Sequence, residues 1–252
     1  MPVVTGVSKA NAVKALPDKA FATFGTVHLL IDNAGVGTGA TIWESSLSDW
    51  QWVLGANLWG VIHGVHNFVP QLIEQDTEVR IVNTSSIAGP ISNLHFGVYA
   101  ASKHAIVALS ETLAMELAAR KSKINASVLC PNAVRTNVAH GERNRRTALH
   151  NAKETAYAVE CMQGLRKYIR TGKCAAEIAD LTFNAICEQS FYIITHRETL
   201  GAVEARMDMI LMGLDTFLIA DVLAFSTSHF IRPCHTDPRS DLTVISPAAN
   251  SW

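Results

Sequence analysis

Charge is what this 252-residue chain has least of: 17% of its residues are Asp, Glu, Lys or Arg, and 21 basic against 22 acidic side chains leave a net charge of −1. No global field therefore favours nucleic acid or an anionic membrane surface. Long apolar runs are missing too, none reaching the roughly 18 residues of a membrane-spanning helix. The opening MPVVTGVSKANAV shows no charged-then-apolar leader pattern. Cysteines are few, at 130, 161, 174, 187 and 234, odd in number and without a C-x-x-C pair. That argues against a disulfide framework or a zinc ribbon and fits a reducing compartment. Disorder is excluded from the other side, because 48% apolar residues supply a core to bury. The expectation is a globular cytoplasmic protein with no membrane and no nucleic acid among its partners.

What the chain does have is alternation. Short β-rich runs at Val27–Ile31, Val79–Thr84, Ile124–Cys130 and Phe191–Thr195 are separated by stretches with a 3.6-residue apolar period. Short buried strands separated by helices of a dozen residues or more mean βαβ units, a parallel sheet and right-handed crossovers. The fold class is α/β. The helix after the first run has Ser48 and Gln51 placed as a capping box. Asn57 interrupts its apolar stripe, and a buried amide left without partners costs about 1–3 kcal/mol. It is either a core amide bridging backbone groups or a working residue. Between Glu142 and Lys173, eight basic residues outnumber three acidic ones. That surplus reads as a solvated helix face or as a basic lid over an anionic ligand. From Leu214 the pattern degrades into a tail broken by Pro233, Pro238 and Pro247. Residues 1–213 are therefore read as the domain and 214–252 as a partly irregular appendage.

Tyr99 and Lys103 stand four apart in a helical pattern and share one face. A phenol titrates at about 10, and an ammonium about 4–5 Å away favours phenolate by about 3–4 kcal/mol at an effective dielectric of about 20. Such a pair brings Tyr into working range as a proton donor or acceptor. Ser85 and Ser86 close the second β run, and ligands of open parallel sheets bind at the carboxyl ends of strands. A strand-end hydroxyl beside an activated phenol suits a carbonyl oxygen. Ser86 lacks the G-x-S-x-G elbow of a hydrolase nucleophile. His63 and His66 have no third ligand, so a helix surface is expected there and no metal.

These residues stand in an order that resembles the short-chain dehydrogenase/reductase family: Asn33-Ala34-Gly35, Asn57, Ile81 to Ser86, Tyr99-x-x-x-Lys103, and Pro131-Asn132-Ala133-Val134-Arg135-Thr136. The resemblance spans about residues 3–213. It implies a Rossmann-like, doubly wound parallel sheet and an oxidoreductase using NAD or NADP on a small alcohol or carbonyl substrate. By resemblance Tyr99 is the acid/base, Lys103 lowers its pKa and holds the nicotinamide ribose, and Ser86 orients the substrate carbonyl. Asn57 holds a water that relays protons to Lys103. Pro131, Val134 and Thr136 border the nicotinamide, and Asn33, Ala34 and Gly35 line the adenosine side. Ala88, His95 and Phe96 are candidates for the substrate wall. A homo-oligomer, a dimer or tetramer paired through the helices carrying Asn57 and Tyr99, is implied as well.

The departures from that pattern are specific. The family opens with a strand and a TGxxxGxG turn that cradles the pyrophosphate at a helix N-terminus, and no such turn occurs in these residues. Thr5-Gly6-Val7-Ser8 resembles the end of the family's third strand, with Gly6 where an Asp usually stands. The sheet is thus expected to be N-terminally truncated, holding strands four to seven of the family order, with Val27–Ile31 at an open edge. Asp32 replaces an Asn, and Asn132 replaces a Gly. Gly35-Val36-Gly37-Thr38-Gly39-Ala40 fits G-x-G-x-x-G/A but lacks the acidic residue about 20 positions on that a dinucleotide fingerprint needs. Two functions follow: a nicotinamide-dependent oxidoreductase, or a truncated, cofactor-free relative acting as an inactive fragment or interaction module.

Overall fold

The computed structural model describes residues 1–213; the tail assigned to 214–252 lies outside the described residues. Helix α1 (Ala10–Phe24) ends at Gly25, whose φ of 76° is the left-handed conformation that stops a helix there. Then come strand β1 (Leu29–Asp32), helix α2 (Leu47–Gln75), strand β2 (Val79–Thr84), helix α3 (Gly97–Ala119) and strand β3 (Ile124–Leu129). After two short 3₁₀ turns follow α4 (Ala156–Thr171), α5 (Ala175–Cys187), strand β4 (Tyr192–Ile193) and α6 (Leu200–Met212). The four expected β runs form one sheet, somewhat trimmed at their ends. All pairs are parallel, in the order β1-β2-β3-β4, with Leu30 opposite Ile81 and Ile81 opposite Ala126.

The sheet is covered unequally. On one face Leu30, Ile81 and Ala126 pack with Phe68, Val69 and Leu72 of α2 and Leu113 and Leu117 of α3. On the other, Val82, Leu129 and Ile193 meet Ile178 of α5. That cover stops short of β1, where Leu29 and Ile31 remain 43% and 47% exposed. Helices thus lie on both faces, as in a doubly wound fold, and β1 and β4 are the two edges among the described strands. No described helix is long and apolar enough to cross a membrane.

Helix α2 begins earlier than Ser48. The capping box is built by Ser46 and Asp49: the Ser46 hydroxyl accepts from the Asp49 N–H at 3.0 Å, and the Asp49 carboxylate accepts from the Ser46 N–H at 2.9 Å. Ser-x-x-Asp and Ser-x-x-Gln both fit the pattern, and a distant partner decides between them. Asp49 also holds Arg145 at 2.8 Å and Asn151 at 3.0 Å, and the Arg145 guanidinium lies 4.7 Å above the Trp52 ring. Burial works against the Asp49 carboxylate, but the hydrogen bonds from Ser46, Asn151 and Arg145 outweigh it and hold the carboxyl below its ordinary range. One acid therefore starts α2 and ties down the segment that follows β3. His63, expected on the helix surface, is instead buried, its Nδ1 2.8 Å from the Val7 carbonyl oxygen, which fixes the opening segment on α2.

Asp49→Asn leaves the buried Arg145 charge with only the partly exposed Glu142 as counter-ion, and we expect a loss of about 2–3 kcal/mol in unfolding free energy. The deficit should be full near pH 7 and shrink as pH falls through the depressed Asp49 pKa, where the native protein loses the same charge. Denaturant titrations at several pH values measure it.

Candidate active site

The carboxyl ends of the strands open into a cleft of about 2260 Å³. Asn33, Ala34 and Gly35 enter it from β1, Ser86 from β2, Tyr99 and Lys103 from α3, and Pro131, Val134 and Thr136 from the turn after β3. Among the expected site residues, Asn57 alone does not line the cleft. It lies beneath, fully buried.

Asn57 joins three elements. Its Oδ1 accepts from the Val36 N–H at 2.8 Å, and its Nδ2 donates to the Val36 carbonyl and to Ser102 Oγ, each at 3.0 Å. Ser102 in turn donates to the Tyr99 carbonyl at 2.6 Å. Both amide protons are thus engaged, and one Oδ1 lone pair is left for a water. The backbone of Gly35 passes so close that a Cβ there would sit 3.3 Å from Asn57 Oδ1 and 3.7 Å from Lys103 Nζ. At Gly39 a Cβ would meet Phe96 at 3.0 Å and Cys161 at 3.1 Å. The glycines of this segment serve close packing of the post-β1 loop on α3 and α4.

Lys103 is 4% exposed and donates from Nζ to the Thr84 carbonyl at 2.9 Å. Its Nζ stands 5.5 Å from the centre of the Tyr99 ring. Burial draws the ammonium down to about 8, so it is still mostly charged at neutral pH. Burial also raises the Tyr99 phenol above its ordinary value, with a hydrogen bond from Ser86 pulling the other way. Four-residue spacing sets the Lys103 charge beside the ring, and desolvation is what gives the phenol's net shift its upward direction. Ser86 makes two long bonds, to the Pro131 carbonyl at 3.3 Å and from the Ala88 N–H at 3.2 Å. Cys130, buried beside Lys103 and Ser85, is held as a neutral thiol, pushed up to about 12 by burial.

Several contacts of this architecture carried no signal in the sequence. Ser85 donates to the Lys103 carbonyl at 2.8 Å, and Thr84 donates to Asn33 Oδ1 at 3.1 Å, locking the ends of β1 and β2 together. Asn132 receives a hydrogen bond from the Tyr168 phenol at 2.9 Å, so its side chain pins α4 where a glycine could not. Tyr157 of α4 reaches His95 Nδ1 at 2.5 Å across the cleft wall. His95 holds a left-handed φ of 68°, and its carbonyl accepts from Ala40 at 2.8 Å. Ala88, His95 and Phe96 all line the cleft as expected.

A short chain dehydrogenase family model matches residues 1–147, more than half of the sequence. The chain belongs to the short-chain dehydrogenase family. The CLA biosynthesis dehydrogenase/reductase of Lactiplantibacillus plantarum is 34% identical over 212 residues, covering 82% of this chain and 74% of that protein. The 1-deoxy-11-beta-hydroxypentalenate dehydrogenase of Streptomyces avermitilis is 30% identical over 198 residues, or 78% of this chain and 66% of that one. A short chain dehydrogenase/reductase from Burkholderia phymatum, solved in complex with NAD, superposes with a TM-score of 0.84 at 44% identity, covering 85% of this chain and 77% of that one.

One departure of this short-chain dehydrogenase has a visible physical effect. Asp32 lies against α2 so closely that a Cβ on Gly64 would fall 2.2 Å from its Oδ1. Its buried Oδ2 has no hydrogen-bond partner, and burial raises the carboxyl to about 7. In the unfolded chain the carboxyl ionises at about 4, so native stability should fall as pH rises from about 4 to about 7 and stay lower above that. Asp32→Asn, the family's residue, should raise Tm by several degrees at pH 8 and leave it unchanged near pH 4, as read by scanning calorimetry.

Proposed function

We propose that the chain is an NAD(P)-dependent oxidoreductase that interconverts an alcohol and a carbonyl, with Tyr99 as the acid/base. The observation that carries this reading is the meeting of Ser86, Tyr99 and Lys103 in one cleft at the carboxyl ends of parallel strands.

The nicotinamide half of the cofactor fits the cleft. Gly35 leaves open the space between Asn57 Oδ1 and Lys103 Nζ. Lys103 donates one hydrogen bond to protein and has two further protons for ribose hydroxyls. Val134 and Thr136 border the carboxamide in this reading, with Pro131 behind them. The family's TGxxxGxG phosphate turn is absent from the 252 residues.

Bound there, the nicotinamide supplies or accepts the hydride. Tyr99 does the proton chemistry. Its raised pKa keeps the phenol protonated at neutral pH, as a donor to a carbonyl oxygen must be. Ser86 redirects its weakly held hydroxyl to the same oxygen. The phenolate left on Tyr99 is stabilised by the Lys103 ammonium and by Ser86. Lys103 loses that charge as pH rises past about 8, so carbonyl reduction should slow above that pH. Asn57, through Val36 and Ser102, keeps the loop and α3 in register. The four described cysteines are free thiols, which supports a cytoplasmic setting. Exposed Trp59 on α2 and Met115 on α3 support pairing through those helices as a homo-oligomer.

Titration with NADH and NADPH, followed by nicotinamide fluorescence, tests the reading. We expect saturable binding by both the wild-type chain and Tyr99→Phe, with turnover of a screened ketone about 10³-fold slower in the variant. No saturation up to millimolar cofactor would sink the proposal and leave the cofactor-free module in its place.

A further inference from the structure

Helix α4 carries a second concave surface, which the cleft chemistry does not use. Arg166 and Arg170 stand four apart on this helix and so share a face. Just beyond it, the Lys173 N–H donates to the Ala133 carbonyl at 3.1 Å, and the Arg135 N–H donates to the Lys173 carbonyl at 2.9 Å. That parallel bridge sets Arg135 beside the end of α4. Arg135, Arg166 and Arg170, together with Thr136, Asn137 and His140, line a hollow of about 400 Å³. Its remaining walls are apolar, formed by buried Ala139 and Ile169.

No carboxylate lines this hollow. Among the described residues none of its three arginines forms an ion pair. Arg166 uses Nε to donate to the Ala139 carbonyl at 3.3 Å, and its terminal nitrogens make no further bond among the described residues. The neighbouring basic residues are engaged elsewhere: Arg145 on Asp49 and Glu142, and Arg143 on the carbonyls of Asn137 and His140. The Arg143 bonds also occupy two acceptors that would otherwise repel an incoming anion. Glu177 feels the field of Arg135, but it stands outside the hollow, 3.8 Å from Lys173.

Guanidinium groups crowded on a concave wall repel one another until an oxyanion joins them, and their paired N–H groups match its oxygens. We propose that this hollow is an anion site separate from the cleft, and that it takes a phosphate group, either free or as a phosphomonoester. Three guanidiniums, a hydroxyl and an imidazole form a donor set for a doubly charged tetrahedral ion and exceed what one carboxylate can use. The hollow is too small for nucleic acid, and a net charge of −1 gives no extended field for a polyanion. Thr136, Asn137 and Ile169 line both the hollow and the cleft, so an anion held here steadies the wall the two share.

Calorimetric titration of the full chain with sodium phosphate, at ionic strength matched with sodium chloride, tests this without any cofactor or substrate. We expect saturable binding that weakens about tenfold or more in Arg166→Gln/Arg170→Gln, with Tm in phosphate-free buffer lowered only slightly, by loss of the long Arg166–Ala139 bond. Arg135→Gln, on an exposed loop, should show a similar loss and guards against a helix defect. Amide exchange should slow on phosphate addition within residues 135–140 and 166–170. Methyl phosphate binding tighter than inorganic phosphate identifies a phosphomonoester ligand, and weaker binding identifies the free ion. Absence of saturation, equal binding by the substituted proteins, protection confined to other segments, or acetate binding as tightly as phosphate would each overturn the assignment. The result stands apart from cofactor binding, so its failure is distinguishable from failure of the oxidoreductase reading.

Discussion

The site rests on one buried amide. Asn57 has no exposed surface, and it grips both backbone groups of Val36 while passing a hydrogen bond through Ser102 to the carbonyl of Tyr99. Three elements, the loop after β1, α2 and α3, are thereby placed relative to one another at a single point. Buried polar networks of this kind are costly when half-satisfied and stiff when complete. This one satisfies every amide donor. It lies directly under Gly35 and Lys103, so the space between strand ends and lysine is set by hydrogen-bond lengths and not by the softer tolerances of apolar packing.

From that point the electrostatics follow. Tyr99 and Lys103 are brought together by helix spacing, yet the surrounding core desolvates both, raising the phenol and lowering the ammonium. The two shifts reverse the groups' usual order, so that at neutral pH the phenol keeps its proton and the ammonium most of its charge. Ser86 is held by two long bonds and also reaches the Tyr99 phenol. Cys130, neutral beneath them, adds no competing charge.

Much of this was legible from residue order alone. Four β runs with helical spacing between them give the parallel sheet, and a polar residue in an apolar stripe marks Asn57 as buried and partnered. The limits are equally instructive. Ser48-x-x-Gln51 and Ser46-x-x-Asp49 look alike on paper, and the choice is made by Asn151, 102 positions away. The basic surplus from Glu142 to Lys173 is divided by tertiary contacts into a buried ion pair at Arg145, a loop brace at Arg143 and an open cluster at Arg166 and Arg170. The supporting roles of Ser85, Ser102 and Asn132 depend on how α3 and α4 dock, which local pattern does not encode. Spacing reports a neighbour's charge but not the solvent that Tyr99 and Lys103 have both lost, so the burial of the pair was not legible from the sequence.

The tie between Asp49 and Arg145 bears on how the cleft meets its ligands. Residues 138–151 sit at the cleft mouth, where an unrestrained loop would have to be ordered at each binding event, at roughly 0.5–1.5 kcal/mol per immobilised side chain. Here Arg145 is already sealed between Asp49, Glu142 and the Trp52 ring, and Asn151 is fastened to the start of α2. That ordering is completed during folding and is not repeated with each ligand. The stretch around Arg145 and Asn151 therefore meets any ligand already in place, and the cost of ordering it falls on folding and not on binding.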